Sequence, residues 1–239
     1  MPVVTLFSAF DETNGRELWI TDGTQSGTSL VKDIAPGASN DGPENLTALG
    51  NGKVVFSATD VSGGRDLWVT DGSAAGTSRL TDIIGTYDPY SYGPGRNVEL
   101  AAIGGGKALF RANDGVSGQE LWITDGTAAG TSLLKDILPG AGSGSPDTFT
   151  ALGNGKAVFI AYGGAYGHIP ALWITDGTAS GTLQVSDAGP SYRDVRSVAT
   201  LGGGRAVFRA YDSYTGTELW VTDGTLAGTS MVKDIFPGG

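Results

Sequence analysis

One twelve-residue phrase constrains this chain more than any other feature, because it returns five times. Trp19, Trp68, Trp122, Trp173 and Trp220 each sit inside it, at spacings of 49, 54, 51 and 47 residues. The first copy begins Glu17-Leu-Trp-Ile-Thr-Asp-Gly-Thr and the third Glu120-Leu-Trp-Ile-Thr-Asp-Gly-Thr. Two variable residues and Gly-Thr follow in every copy, giving ELWxTDGTxxGT. A repeat of this kind is one supersecondary unit that buries its apolar face only by stacking on its neighbours. The units fall at about 1–41, 42–94, 95–145, 146–193 and 194–239, a single domain over residues 1–239.

Each unit reads as four short strands. In the second these are Asn45–Leu49, Lys53–Ala58, Arg65–Thr70 and Thr77–Ile83, β-branched and aromatic runs punctuated by Gly, Asn and Asp. Three connections are short hairpins and the fourth is long, as when an outer strand hands over to the inner strand of the next sheet. This predicts an all-β chain, a five-bladed β-propeller of five four-stranded repeats. Thr5-Leu-Phe-Ser-Ala aligns with a second strand, so one blade is expected to lack a strand. An open solenoid, or a piece of a longer array, is the competing arrangement.

The phrase resembles the ELWxxDGTxxGT, or hyalin-like, repeat of bacterial surface and secreted proteins. In blade number the chain is also similar to the five-bladed tachylectin-type propellers. These resemblances imply an extracellular or cell-surface protein and a lectin-like site between blades. The chain itself opens without a basic, apolar leader, which leaves a cytoplasmic location open.

The repeated residues read as scaffold. Trp at one position of every sheet is expected to wedge between sheets. Asp and Thr of the Thr-Asp-Gly-Thr run are expected to tie a six-residue hairpin loop to its own backbone. If Thr21 faces Thr28, then Glu17 faces Lys32, Glu120 faces Lys135 and Glu218 faces Lys233, which predicts cross-strand ion pairs. Asp11, Asp60, Asp114 and Asp212 recur after the strand Phe, and a calcium ion bridging them to the later acids is an alternative to ion pairing. No other cofactor is indicated.

Composition narrows the function. The net charge of −10 disfavours nucleic acid and anionic membranes. The chain has no cysteine and one histidine, which removes disulfides, thiolate chemistry and paired-imidazole sites. No stretch is apolar enough to span a membrane. Few acids escape the repeat, among them Glu12, Glu44, Asp88, Glu99 and Asp194, so no catalytic constellation is evident and the chain is not expected to be an enzyme. The unusual residues lie in variable loops: Tyr87, Asp88, Tyr90 and Tyr92; Tyr166 and His168; Tyr192 and Arg193. Tyr beside Ser, Asp and Arg suits stacking on sugar rings, and it equally suits loop packing. The expectation is a multivalent, non-catalytic, lectin-like or surface-interaction module whose partner is a glycan or a protein surface. A structural or adhesive scaffold that self-associates or pairs through an open blade edge is the alternative. A glycoside-processing enzyme ranks below both.

Overall fold

The structure, a computed structural model, describes residues 4–37, 42–61, 64–81, 99–163, 169–185, 193–212, 214–235 and 237. Nineteen strands and no helix occur among them. They form five antiparallel sheets in chain order. The first has three strands, β1 (Thr5–Asp11), β2 (Gly15–Thr21) and β3 (Ser29–Lys32). The second holds β4 (Glu44–Ala48), β5 (Val54–Thr59), β6 (Arg65–Thr70) and β7 (Ser78–Thr81). The third holds β8 (Leu100–Gly104), β9 (Lys107–Asn113), β10 (Gln119–Thr124) and β11 (Ser132–Lys135). The fourth holds β12 (Asp147–Gly153), β13 (Lys156–Tyr162), β14 (Pro170–Thr175) and β15 (Leu183–Gln184). The fifth holds β16 (Arg193–Gly202), β17 (Arg205–Asp212), β18 (Gly216–Thr222) and β19 (Ser230–Lys233).

The core lies between sheets, and the repeat explains its composition. Leu18, Val31 and Ile34 of the first sheet pack on Phe56, Ala58 and Trp68 of the second. The same exchange joins the second to the third, the third to the fourth and the fourth to the fifth. Phe56, Phe110, Phe159 and Phe208 are essentially sealed from water, each flanked by its cross-strand Trp with ring centroids 6.3–6.5 Å apart. Each such side chain contributes about 1.5–3 kcal/mol by burial. Period-two alternation therefore puts Phe and Trp toward the preceding sheet and Leu with Ile or Val toward the following one.

The Thr-Asp-Gly-Thr hairpins tie themselves as their residue types require. Asp22 Oδ1 accepts from the Thr24 amide at 2.9 Å and the Thr24 hydroxyl at 2.7 Å. Thr24 Oγ1 accepts from Gly27 N, and the Thr21 and Thr28 hydroxyls bond across the hairpin at 2.6 Å. The other four copies repeat the Thr pair. A Cβ on Gly27 would run into the Asp22 carboxylate, so glycine is needed there.

The predicted Glu–Lys ion pairs do not form. A bulge between Leu18 and Trp19 moves the register by one residue, so Lys32 stands opposite Leu18. The same slip recurs in the third and fifth sheets, where Lys135 and Lys233 face Leu121 and Leu219. Glu17, 1% exposed, instead accepts from the Ile34 and Ala35 amides at 2.8 and 2.9 Å. Glu120 accepts from Ile137 N and Gly144 N at 2.6 Å each, and Glu218 from Ile235 N at 2.6 Å. These carboxylates pin the chain leaving each sheet. In the second sheet Asp66 meets Arg79 at 3.1 Å instead.

Candidate functional site

The innermost strands β4, β8, β12 and β16 lie side by side in sequence order. Their N-terminal ends are irregular. Register shifts interrupt Glu44/Thr47, Asp147/Thr150 and Arg196/Ala199. Asn45, Thr148 and Ser197, which occupy the same place in their units, all take left-handed φ of 56–58°. For β-branched Thr148 that conformation is costly and needs support from outside. Glu99 supplies it, accepting from the Thr148 and Phe149 amides at 2.7 and 2.9 Å across the junction of the third and fourth sheets.

Charges collect at these bulged ends, and they do not follow the repeat. The position before each left-handed residue is Glu44, Asp147 and Arg196 in the second, fourth and fifth sheets. Arg65 forms an ion pair with Glu44 at 3.1 Å and donates to Ser57 Oγ at 2.9 Å. Arg196 is held by Asp194, with Nη2 and Nε both 2.8 Å from Oδ1. Burial pushes the Glu99 carboxyl above its ordinary value, and the Asp147 carboxylate adds to the rise. The Thr148 and Phe149 amides and the Arg111 guanidinium pull against it. The inner-strand ends thus carry the carboxylates of Glu44, Glu99, Asp147 and Asp194 and the guanidinium groups of Arg65 and Arg196, charges of both signs such as the two ends of a small zwitterion require.

Of the residues expected to bind ligand, Tyr87, Asp88, Tyr90, Tyr92, Tyr166, His168 and Tyr192 lie outside the described residues. Arg193 opens β16 with its backbone opposite Tyr211. The non-repeating acids Glu44, Glu99 and Asp194, noted in the sequence, lie at or just before the starts of the inner strands β4, β8 and β16. Asp147, Arg65, Arg111 and Arg196 join them without having been singled out. The signal of Asp147 and Arg196 was a change of charge at the one position aligned with Glu44, visible only once the inner strands are aligned; Arg65 and Arg111 lie on β6 and β9 and gave no such signal.

The four aspartates considered for calcium are otherwise engaged. Asp11 accepts from the Thr13 and Asn14 amides and the Asn14 side chain. Asp114 accepts from the Val116 and Ser117 amides, and Asp212 from the Tyr214 amide. Asp60 meets Arg79 at 3.3 Å. Hydrogen bonding to Asn14 holds the Asp11 carboxyl below its ordinary value, and the Ser117 and Val116 amides do the same for Asp114. Among the described residues no group of three His, Cys, Asp or Glu is placed to hold a metal ion. No helix of the described residues is long and apolar enough to cross a membrane.

No family model matches the chain, and no curated protein does. Solved structures do. Puromycin hydrolase matches 95% of this chain and 35% of its own, at 17% identity and a TM-score of 0.55. Oligopeptidase B from Leishmania major matches 99% of this chain and 33% of its own, at 11% identity and a TM-score of 0.58. The chain thus spans about a third of the length of these two solved proteins. At such identities the likeness shows the fold, an all-β, propeller-like array of sheets. It also corrects the functional expectation. These two structures are named for hydrolase and peptidase activity, which points away from a non-catalytic lectin-like module.

Proposed function

We propose that the five sheets act as propeller blades in the substrate-admitting portion of a peptide hydrolase. In this reading the bond-breaking groups lie outside these 239 residues. The observation that carries the proposal is the charged arc at the inner-strand ends. The repeated acids Glu17, Glu120 and Glu218 are committed to backbone amides. Asp147 and Arg196 stand at the one aligned position that carries Glu44 in the second sheet, so its charge changes from sheet to sheet, and function on a rigid scaffold concentrates where the pattern is broken. A peptide carries an ammonium at one end and a carboxylate at the other, and this arc offers partners for both. The likeness to oligopeptidase B supports the same substrate class.

The test is equilibrium dialysis of the chain against a mixture of short unblocked and end-blocked peptides, read by mass spectrometry. Retention of unblocked peptides, with no new fragments, is the expected result. Equal retention of blocked peptides, or none of either, sinks the proposal. Fragments that appear with the chain alone would place the chemistry on these residues.

A further inference from the structure

Four junctions between successive sheets are filled, and the two outer faces that would make a fifth are not. Three aligned positions show this on the fifth sheet. Leu49, Ile103 and Leu152 are 2–8% exposed, whereas Leu201 is 52% exposed. Val31, Leu134 and Val185 are 4–8% exposed, whereas Val232 is 52%. Ile34 and Ile137 are 6% and 4% exposed, whereas Ile235 is 64%. The first sheet shows the complementary gap. Phe7, Ala9 and Trp19 are only half-buried, where Phe56, Ala58 and Trp68 are buried. A Cβ built on Gly72, Gly126, Gly177 or Gly224 would meet Ile20, Leu49, Ile103 or Ile174 of the preceding sheet, but on Gly23 it meets nothing within 4 Å.

The four filled junctions define what fits each open face. A Leu/Val/Ile face takes the Phe/Trp/Ala face of another copy of the same repeat. Charge follows the same rule. Lys53 reaches into the next sheet, donating to the Gly126 carbonyl at 3.1 Å and acting on the Asp125 carboxylate. Lys156 acts likewise on Asp223. The aligned cation on the fifth sheet is Arg205, which is exposed, and the aligned acid on the first sheet is Asp22, also exposed. Arrays of repeats need polar outer faces on their end units to stay apart. Here both ends keep interior chemistry, and the described chain does not bring them together.

We propose that the fifth sheet of one copy of this chain packs on the first sheet of a second copy, head to tail, rebuilding the missing junction. The contact is between sheet faces, not through a strand edge, and it is a mode of assembly independent of the peptide-hydrolase reading. Being heterologous, it joins copies into a ring if the rotation closes and into a filament if it does not.

The experiment is sedimentation velocity over a wide concentration range on the whole chain and on two variants, Val232→Glu and Ala9→Glu. Each variant places a charge on one open face. Thermal melting checks that both remain folded. The wild type is expected to associate with rising concentration. Each variant alone should stay monomeric where the wild type associates, its dissociation constant raised at least about tenfold. An equimolar mixture should form a one-to-one heterodimer, because each variant keeps the face the other lacks. A wild type that stays monomeric throughout, as it would if the chain closed on itself or the faces took some other partner, overturns the proposal. So does a variant that self-associates like the wild type, or a mixture that forms no heterodimer.

Discussion

Replacing Glu120 with Ala tests whether the repeated acid is structural. Glu120 is fully buried, with one oxygen accepting from Ile137 N and the other from Gly144 N, each at 2.6 Å. Truncation leaves two backbone amides unpaired, at about 1–3 kcal/mol each. Relief from burying a carboxyl offsets part of this, so the net loss is about 2–4 kcal/mol. For a chain of this size that lowers Tm by roughly 4–16 °C. The fourth sheet already carries Ala171 at this position, so an Ala is sterically acceptable there. Glu218→Ala, which releases a single amide among the described contacts, should cost about half as much. Glu12→Ala, on an exposed loop, should stay within about 0.5 kcal/mol of wild type. Urea denaturation of the three variants gives the comparison. A Glu120→Ala protein as stable as Glu12→Ala would refute the assignment and return the repeated acids to the functional candidates.

Other expectations are checked by similar means. Gly130→Ala, whose Cβ would strike the Asp125 carboxylate, should destabilise by about 1–3 kcal/mol in denaturant, and Gly23→Ala tests a different strain, that of positive φ alone. Phe110→Ala should cost about 3–5 kcal/mol, and Phe7→Ala clearly less, because Phe7 is only half-buried. Hydrogen bonds from the Thr127 and Thr178 side chains, with the local amides, hold Asp125 and Asp176 below the ordinary 3.8. The folded state then binds fewer protons than the unfolded one. That stabilisation is complete above pH 3.8 and is lost as pH falls through the folded values, and Asp125→Asn should flatten this acid limb in a melting series. Glu120 behaves oppositely, because burial raises its carboxyl above 4.5. Its contribution is greatest below that pH and declines as pH rises through the window above it, a decline that Glu120→Gln should remove.

Much of the scaffold was legible in the chain because it is written five times. Strand boundaries followed from Gly and Asn turns flanking β-branched runs, and the Thr21–Thr28 pairing fixed the upper half of each outer hairpin. The lower half was misread for a physical reason. A bulge at Leu18/Trp19 leaves no mark in an alternating pattern, yet it slips Lys32 past Glu17 by one residue. The carboxylate thereby freed turns to the amides of Ile34 and Ala35. The candidate site was half visible. Glu44, Glu99 and Asp194 stood out as acids that do not recur. Asp147 and Arg196 became meaningful only where β12 and β16 lie side by side with matching left-handed bulges. The tyrosine-rich loops drew attention by composition, which describes chemistry without placing it.

The proposed function divides labour between repeated residues that build the sheets and unrepeated charges that would meet a ligand. Fluorescence anisotropy of a labelled, unblocked pentapeptide titrated with the wild type and with Asp147→Asn/Arg196→Gln addresses that division. Saturable binding by the wild type, loss of binding in the double variant and unchanged melting are expected, since both side chains are at least partly exposed. Equal binding by both proteins, or melting that falls with the double substitution, would contradict it.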